Sequence, residues 1–326
     1  MLNVFYLFSH CEITLKILHL CFMPHLLKMF KANLRFCKIV FLTLLLTHLA
    51  SAQSVNQTVG LQDSLSQLSK RIWQQKSDTG MLSANEAFFN KFQAVLNNPN
   101  SLNFALDSIK GITRVANENG SLRIFTWNIP LSDGSNKYFG FVQVNGDSLK
   151  VFPLCSTMAE SGNFEDLQLS YNQWYGAIYY GLINVKISGQ QAYTLLGWDG
   201  YTSGSNRKMI EILTVDKQGN LQFGLPVFKT DHGLKNRVVK EYAEKATMTL
   251  RYDYQSILIQ KGKKVKKDDT WLIVMDRLVP MDPSMKGFYK YYVAAGDTYD
   301  GFVFRDGFWS FVEDVEVVNR AQPLRK

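Results

Sequence analysis

Most of the chemical capacity of this 326-residue sequence lies in its carboxylates and aromatic rings. Two acids held about 5–10 Å apart hydrolyse a glycosidic bond without help from histidine. Asp199, Glu211, Asp276, Asp297 and Asp300 are the acids that could reach one edge of a sheet. Aromatic rings stand beside two of them, in Trp198-Asp199-Gly200 and Tyr299-Asp300-Gly301, where they could stack on a sugar. Trp198, Asp199, Asp297, Tyr299 and Asp300 are therefore the candidate ligand-facing residues. The same triplets, with Arg305-Asp306-Gly307, also read as hairpin turns flanked by strand aromatics, because Asp-Gly is a favoured turn pair.

Histidine and cysteine chemistry is far narrower. Four of the five histidines and three of the four cysteines precede residue 53, in a segment expected to be removed. His232 and Cys155 remain, which excludes a multi-histidine zinc site. A serine triad would have to use His232, and no G-x-S-x-G elbow supplies its nucleophile. Asp231-His232-Gly233 reads as a solvent-facing turn, and Cys155, following a strand, as a small buried hydrophobe. The oxygen-rich stretches 199–206 and 297–300 lack the alternate-acid spacing of a calcium loop. No glycine-rich phosphate loop is present, so neither metal nor cofactor is expected.

Lys261, Lys263, Lys264, Lys266 and Lys267 crowd into seven residues ahead of Asp268-Asp269. The pattern predicts a solvated loop at a hairpin tip. Lys263, Lys264, Lys266 and Lys267 are its candidate contacts to anionic lipid head groups or surface glycans.

The segment that places these residues in a compartment is 29–52. Lys31, Arg35 and Lys38 form a basic n-region, 39–49 is apolar, and Ala50-Ser51-Ala52 fits a signal peptidase site. The mature chain is expected to begin at Gln53 and to be periplasmic or extracellular, with no stable transmembrane anchor after cleavage. Residues 1–28 are expected to be a mispredicted upstream start, since Met23 and Met29 both offer later ones. The overall charge of +8 falls to +4 without 1–52, which holds five Lys/Arg and one acid. That mild excess gives no reason to expect nucleic acid. One cysteine permits no internal disulfide, so an exported domain of this size must rest on its core.

Two kinds of element must position the candidates. Over 53–110 the grammar is helical: apolar residues recur at helical spacing over 59–73, and Ser83 with Glu86 forms a capping box for a second helix. A shorter helical piece is expected over 102–109. From 111 to 326 short runs rich in Val, Ile, Tyr, Phe and Thr alternate with Asn-Gly and Asp-Gly turns. Runs are expected over 122–129, 138–144, 149–152, 175–187, 192–198, 208–215, 221–228 and 238–242. Others fall at 246–252, 257–260, 271–275, 289–294, 301–304 and 308–317. Such spacing leaves no room for crossover helices, so pairing must be mostly antiparallel. The expected fold is mainly β, an antiparallel sandwich or open barrel with an N-terminal helical cap. The alternative is a propeller-like arrangement, suggested by Trp198-Asp199 but unsupported by any period of about 40 residues.

Tyr193-Thr-Leu-Leu-Gly-Trp-Asp-Gly200, Lys208-Met-Ile-Glu-Ile-Leu-Thr-Val-Asp216 and Phe223-Gly-Leu-Pro-Val-Phe228 carry a resemblance. With Ala246-Thr-Met-Thr-Leu-Arg-Tyr-Asp253 and the aromatic-Asp-Gly ending, the chain resembles a group of exported Bacteroidetes proteins over most of 175–317. The resemblance implies a Gram-negative, exported setting; the group has no assigned activity, so no catalytic residue is carried over. Two functions follow as expectations. The first is a non-enzymatic envelope protein that binds a partner protein or glycan, or serves as scaffold. The second is a carbohydrate-binding or carbohydrate-hydrolysing protein using a carboxylate pair.

Overall fold

The helices form where apolar spacing places them, and the buried side of the longer one faces β-structure. A computed structural model describes residues 60–104, 106, 109–156, 164–261 and 264–317, with side chains outside 258–266. The export signal at 29–52, the segment 1–28 and Lys263 lie outside the described residues. Contacts divide the chain into two units, Met1–Leu61 and Gln62–Lys326, and the sheets of the described residues lie in the second. Helix α1 covers 60–73 and buries Leu65 and Ile72. Helix α2 (Asp78–Leu96) starts five residues before the expected Ser83, because the Ser77 hydroxyl already accepts the Gly80 N–H at 3.2 Å. The piece expected over 102–109 is 3-10 rather than α, at Pro99–Asn103 and again at Leu106. Among the described residues no helix is long and apolar enough to cross a membrane.

Three sheets follow. The first is an antiparallel meander of β1 (Thr113–Ala116), β2 (Leu122–Pro130), β3 (Asn136–Asn145) and β4 (Leu149–Cys155). The middle sheet has the order β5 (Leu169–Ser170), β9 (Leu221–Phe223), β8 (Ser205–Val215), β7 (Gln190–Thr202), β6 (Ile178–Ile187), and β12 (Arg237–Ala243) also pairs with β8. The third runs β11 (Gly233–Lys235), β10 (Phe228–Thr230), β16 (Phe308–Val312), β15 (Tyr292–Arg305), β14 (Lys264–Pro280), β13 (Leu250–Lys261). Pairing is antiparallel apart from the short β10–β16 contact.

Alternation along the strands explains the stacking. On β2 and β3, Phe125, Trp127 and Phe141 meet Phe88 and Phe92 of α2, with ring centroids 5.1–6.1 Å apart. Leu122, Ile124 and Val142 point the other way, onto Tyr193, Leu195, Met209 and Leu213 of the middle sheet. The opposite face of that sheet presents Ala192, Leu196, Ile210 and Ile212 to Leu250, Ile273, Phe302 and Trp309 of the third. The outer face of the third sheet packs Leu272, Val274 and Val303 under Val315. The result is a layered β-sandwich with a helical cap. The strands form neither a closed barrel nor propeller blades among the described residues.

Several boundaries correct the expected ones. Asp306-Gly307 is a turn, with φ of 51° and 82°, as a two-residue hairpin between β15 and β16 demands. The triplets at 198–200 and 299–301, however, lie inside β7 and β15. Gly301 is there because a Cβ would sit 2.5 Å from the Ile273 carbonyl oxygen of the neighbouring strand. Strand β15 begins at Tyr292, not at 289. Residues Tyr289–Tyr291 form a 3-10 turn, since the Met281 N–H bonds to the Tyr291 carbonyl at 2.9 Å and folds 281–291 back on itself. The expected lysine loop is mostly strand: Lys264, Lys266 and Lys267 belong to β14, in register with Lys261, Ile259 and Leu258. Lys267 is already paired with Glu316 at 2.7 Å.

Candidate binding cleft

At one end of the middle and third sheets the apolar packing gives way to a cleft of about 480 Å³. That lies within the range of small-molecule sites, about 300–1,000 Å³. Its lining includes Val238, Met275 and Phe302, all buried members of the core between the two sheets. Charged side chains line it too. Arg207 Nη2 lies 3.2 Å from Glu241 Oε2, a pair set by the antiparallel register Arg207↔Glu241 of β8 and β12. Arg277 stands where β14 shifts register between Asp276 and Leu278, and its guanidinium holds Asp300 with Nε and Nη2 and reaches Asp314 at 2.9 Å. These contacts raise the Arg277 pKa, the hydrogen bond to Asp300 contributing most. Tyr289 and Tyr292 stand at the cleft, ring centroids 5.0 Å apart, beside the Asp231-His232 turn between β10 and β11.

The acids of the cleft are largely engaged. Glu165 Oε1 accepts the Val239 N–H at 2.9 Å, Asp276 Oδ2 accepts the Thr249 N–H at 2.7 Å, and Glu241 Oε1 accepts the Ser205 hydroxyl at 2.8 Å. Asp300 is clamped by Arg277. Among the described residues no cluster of three His, Cys, Asp or Glu side chains could hold a metal.

The five candidate ligand-facing residues are not brought together. Asp300 lines the cleft, but Asp199 does not. Asp199 is 6 % exposed and accepts the Tyr175 hydroxyl at 2.9 Å, on the side of β7 that meets the first sheet. Burial raises its pKa, opposed by hydrogen bonds from Tyr138 and Tyr175 and by the nearby Arg207 charge. Trp198 is half-buried in β7 and hydrogen-bonded to Tyr242, Asp297 is exposed where β15 departs from register with β14, and Tyr299 packs on the outer cluster of the third sheet. The remaining strand acid, Glu211, is wholly buried against Arg237.

Arg207, Glu241, Arg277, Tyr289 and Tyr292 were not among the residues singled out from spacing, although all five line the cleft. Their only signal was polar or charged character within otherwise apolar strand runs. His232 is an exposed turn residue as expected, and also lines the cleft. Cys155 is exposed at the end of β4 instead of buried, because strand alternation turns Leu154 into the core and Cys155 the other way. It lies on the first sheet and His232 beside the third, with the middle sheet between them, so the two form no Cys–His pair. Compared with family models, curated proteins and solved structures, the chain matches none.

Proposed function

We propose that the protein is an exported, non-catalytic binding protein of the cell envelope that takes a small ligand, or one end of a larger one, in the cleft beside Arg207 and Arg277. The 29–52 signal supports export. One observation supports binding over hydrolysis: four of the five acids lining the cleft are held by a guanidinium, a hydroxyl or a backbone N–H. A glycosidase requires one acid with a raised pKa beside a second free carboxylate. The buried acid with a raised pKa, Asp199, lies outside the cleft. The lysines at 264–267 are a secondary surface for an anionic envelope component, weakened by the Lys267–Glu316 pair.

The test is a thermal-shift comparison of the native protein with Lys240→Trp, which fills the cleft from β12. A dialysable envelope extract should raise the Tm of the native protein and leave the variant unmoved. Equal shifts in both would place binding elsewhere.

A further inference from the structure

Resting on that reading, the charges and rings of the cleft specify the class of ligand: we infer that it binds a neutral saccharide, with Tyr289 as the stacking platform. Charge comes first. The lining carries three permanent cations, Arg207, Lys240 and Arg277, against five acids, Glu165, Asp231, Glu241, Asp276 and Asp300. Both arginines are already matched to carboxylates, so a phosphate or carboxylate ligand that does not displace Glu241 or Asp300 meets only Lys240, in a site without positive excess. A neutral ligand meets no such opposition. Hydroxyls both donate and accept, and a guanidinium–carboxylate pair at 3.2 Å offers planar donors beside planar acceptors.

Shape points the same way. A pyranose has polar edges and an apolar C–H face, so it needs hydrogen-bonding walls and a flat ring. Tyr289 lines the cleft while remaining 57 % exposed, and Phe288 beside it is 59 % exposed. The loop carrying them is preformed: Asp282 caps Ser284, the Phe288 N–H bonds to Met285, and the Gly287 N–H bonds to the Tyr292 hydroxyl at 3.0 Å. Holding aromatic rings in the open in a fixed turn costs burial that the chain recovers only when something stacks on them.

Isothermal titration with cellohexaose, maltohexaose and chitohexaose, and with an oligogalacturonate as anionic counterpart, decides the matter. At least one neutral hexaose should bind, and more tightly than the oligogalacturonate. Tyr289→Ala should weaken that binding about tenfold, whereas Tyr289→Phe, which keeps the ring, should retain it. Lys240→Trp should abolish it. Failure of every neutral hexaose to bind the folded protein overturns the inference, as does tighter binding of the oligogalacturonate or unchanged affinity in Tyr289→Ala. If the envelope extract still protects the native protein but not Lys240→Trp, the saccharide assignment alone falls. Hexaose binding insensitive to both substitutions removes the cleft reading as well.

Discussion

Both faces of the middle sheet are packed with apolar side chains, but they differ in the polar groups they bury. Toward the first sheet it buries charge: Arg237 and Glu211 are 0 % exposed and 3.1 Å apart, and the Tyr179 hydroxyl bonds to Glu211 while accepting the Trp174 indole N–H at 2.8 Å. Arg237 also donates to the carbonyls of Phe164 and Leu167, tying the 164–167 turn to the sheet. Toward the third sheet the core is apolar, crossed by hydrogen bonds from Trp309 Nε1 to Thr194 Oγ1 at 2.9 Å and from the Tyr180 hydroxyl to the Leu250 carbonyl at 3.1 Å. An apolar interface gains free energy from area alone and tolerates sliding; a buried ion pair gains little net energy but penalises any arrangement that separates it. The Glu211–Arg237 pair therefore fixes the β8–β12 register within the middle sheet. The apolar packing between the middle and third sheets gives way at one end, and there the cleft opens.

Removing one partner of the buried pair should give the largest effect. Glu211→Ala leaves the Arg237 charge buried without its counter-ion, and should cost about 3–5 kcal/mol in chemical denaturation. Glu211→Leu combined with Arg237→Met should recover much of that, but not all, because the Phe164 and Leu167 carbonyls lose their donor. Full recovery would mean that the charged face contributes no more specificity than the apolar one.

At the apolar face the corresponding change is Thr194→Val. It keeps shape and burial and strips the Trp309 N–H of its acceptor, so the expected loss is about 1–3 kcal/mol by the same denaturation measurement. A loss equal to that of Glu211→Ala would erase the contrast between the faces.

The contrast was only half legible in the sequence. The strands that build the apolar face were legible, since Ala192, Leu196, Ile210 and Ile212 fall in the expected runs 192–198 and 208–215. Helix α2 was legible, though its start was not, because the Ser83–Glu86 spacing fits a capping box while Ser77, which caps the helix, has Gly80 at the matching position. The Glu211–Arg237 pair was invisible: its partners are 26 residues apart and meet only through the β8–β12 register. The cleft was hidden for the same reason. Arg207 with Glu241 and Arg277 with Asp300 become neighbours by strand pairing, while attention to aromatic-Asp-Gly triplets pointed to Asp199, which faces the other sheet. Tyr289 read as strand because tyrosines favour strands, until the Met281–Tyr291 hydrogen bond closed a turn.

A smaller, pH-dependent effect belongs to the charged side. The Asp199 pKa is raised by burial, so between its ordinary value and the raised one the folded protein binds a proton that the unfolded chain does not. Stability from this group therefore falls as pH rises through the folded pKa, and grows as pH is lowered toward the ordinary carboxylate range. Asp199→Asn lacks that proton. The native protein should gain stability relative to the variant as denaturation is repeated from neutral to mildly acidic pH. A difference independent of pH would show that the Tyr138 and Tyr175 hydrogen bonds fully cancel the burial.

The smallest effect should come from His232, despite its place in the cleft lining. It lies in the tight turn between β10 and β11, where its own N–H bonds to Thr230 Oγ1 at 3.2 Å and the Thr230 hydroxyl reaches the Gly233 carbonyl at 3.0 Å. Thr230 and the backbone hold that turn, so His232→Ala removes an exposed ring and leaves those bonds intact. The expected change is within about 0.5 kcal/mol. Ligand affinity should change less than in Tyr289→Ala, since Tyr289 offers an exposed ring in a preformed loop. A His232→Ala variant with an unchanged Tm but a larger loss of binding than Tyr289→Ala would move the centre of recognition from the aromatic wall to the β10–β11 turn.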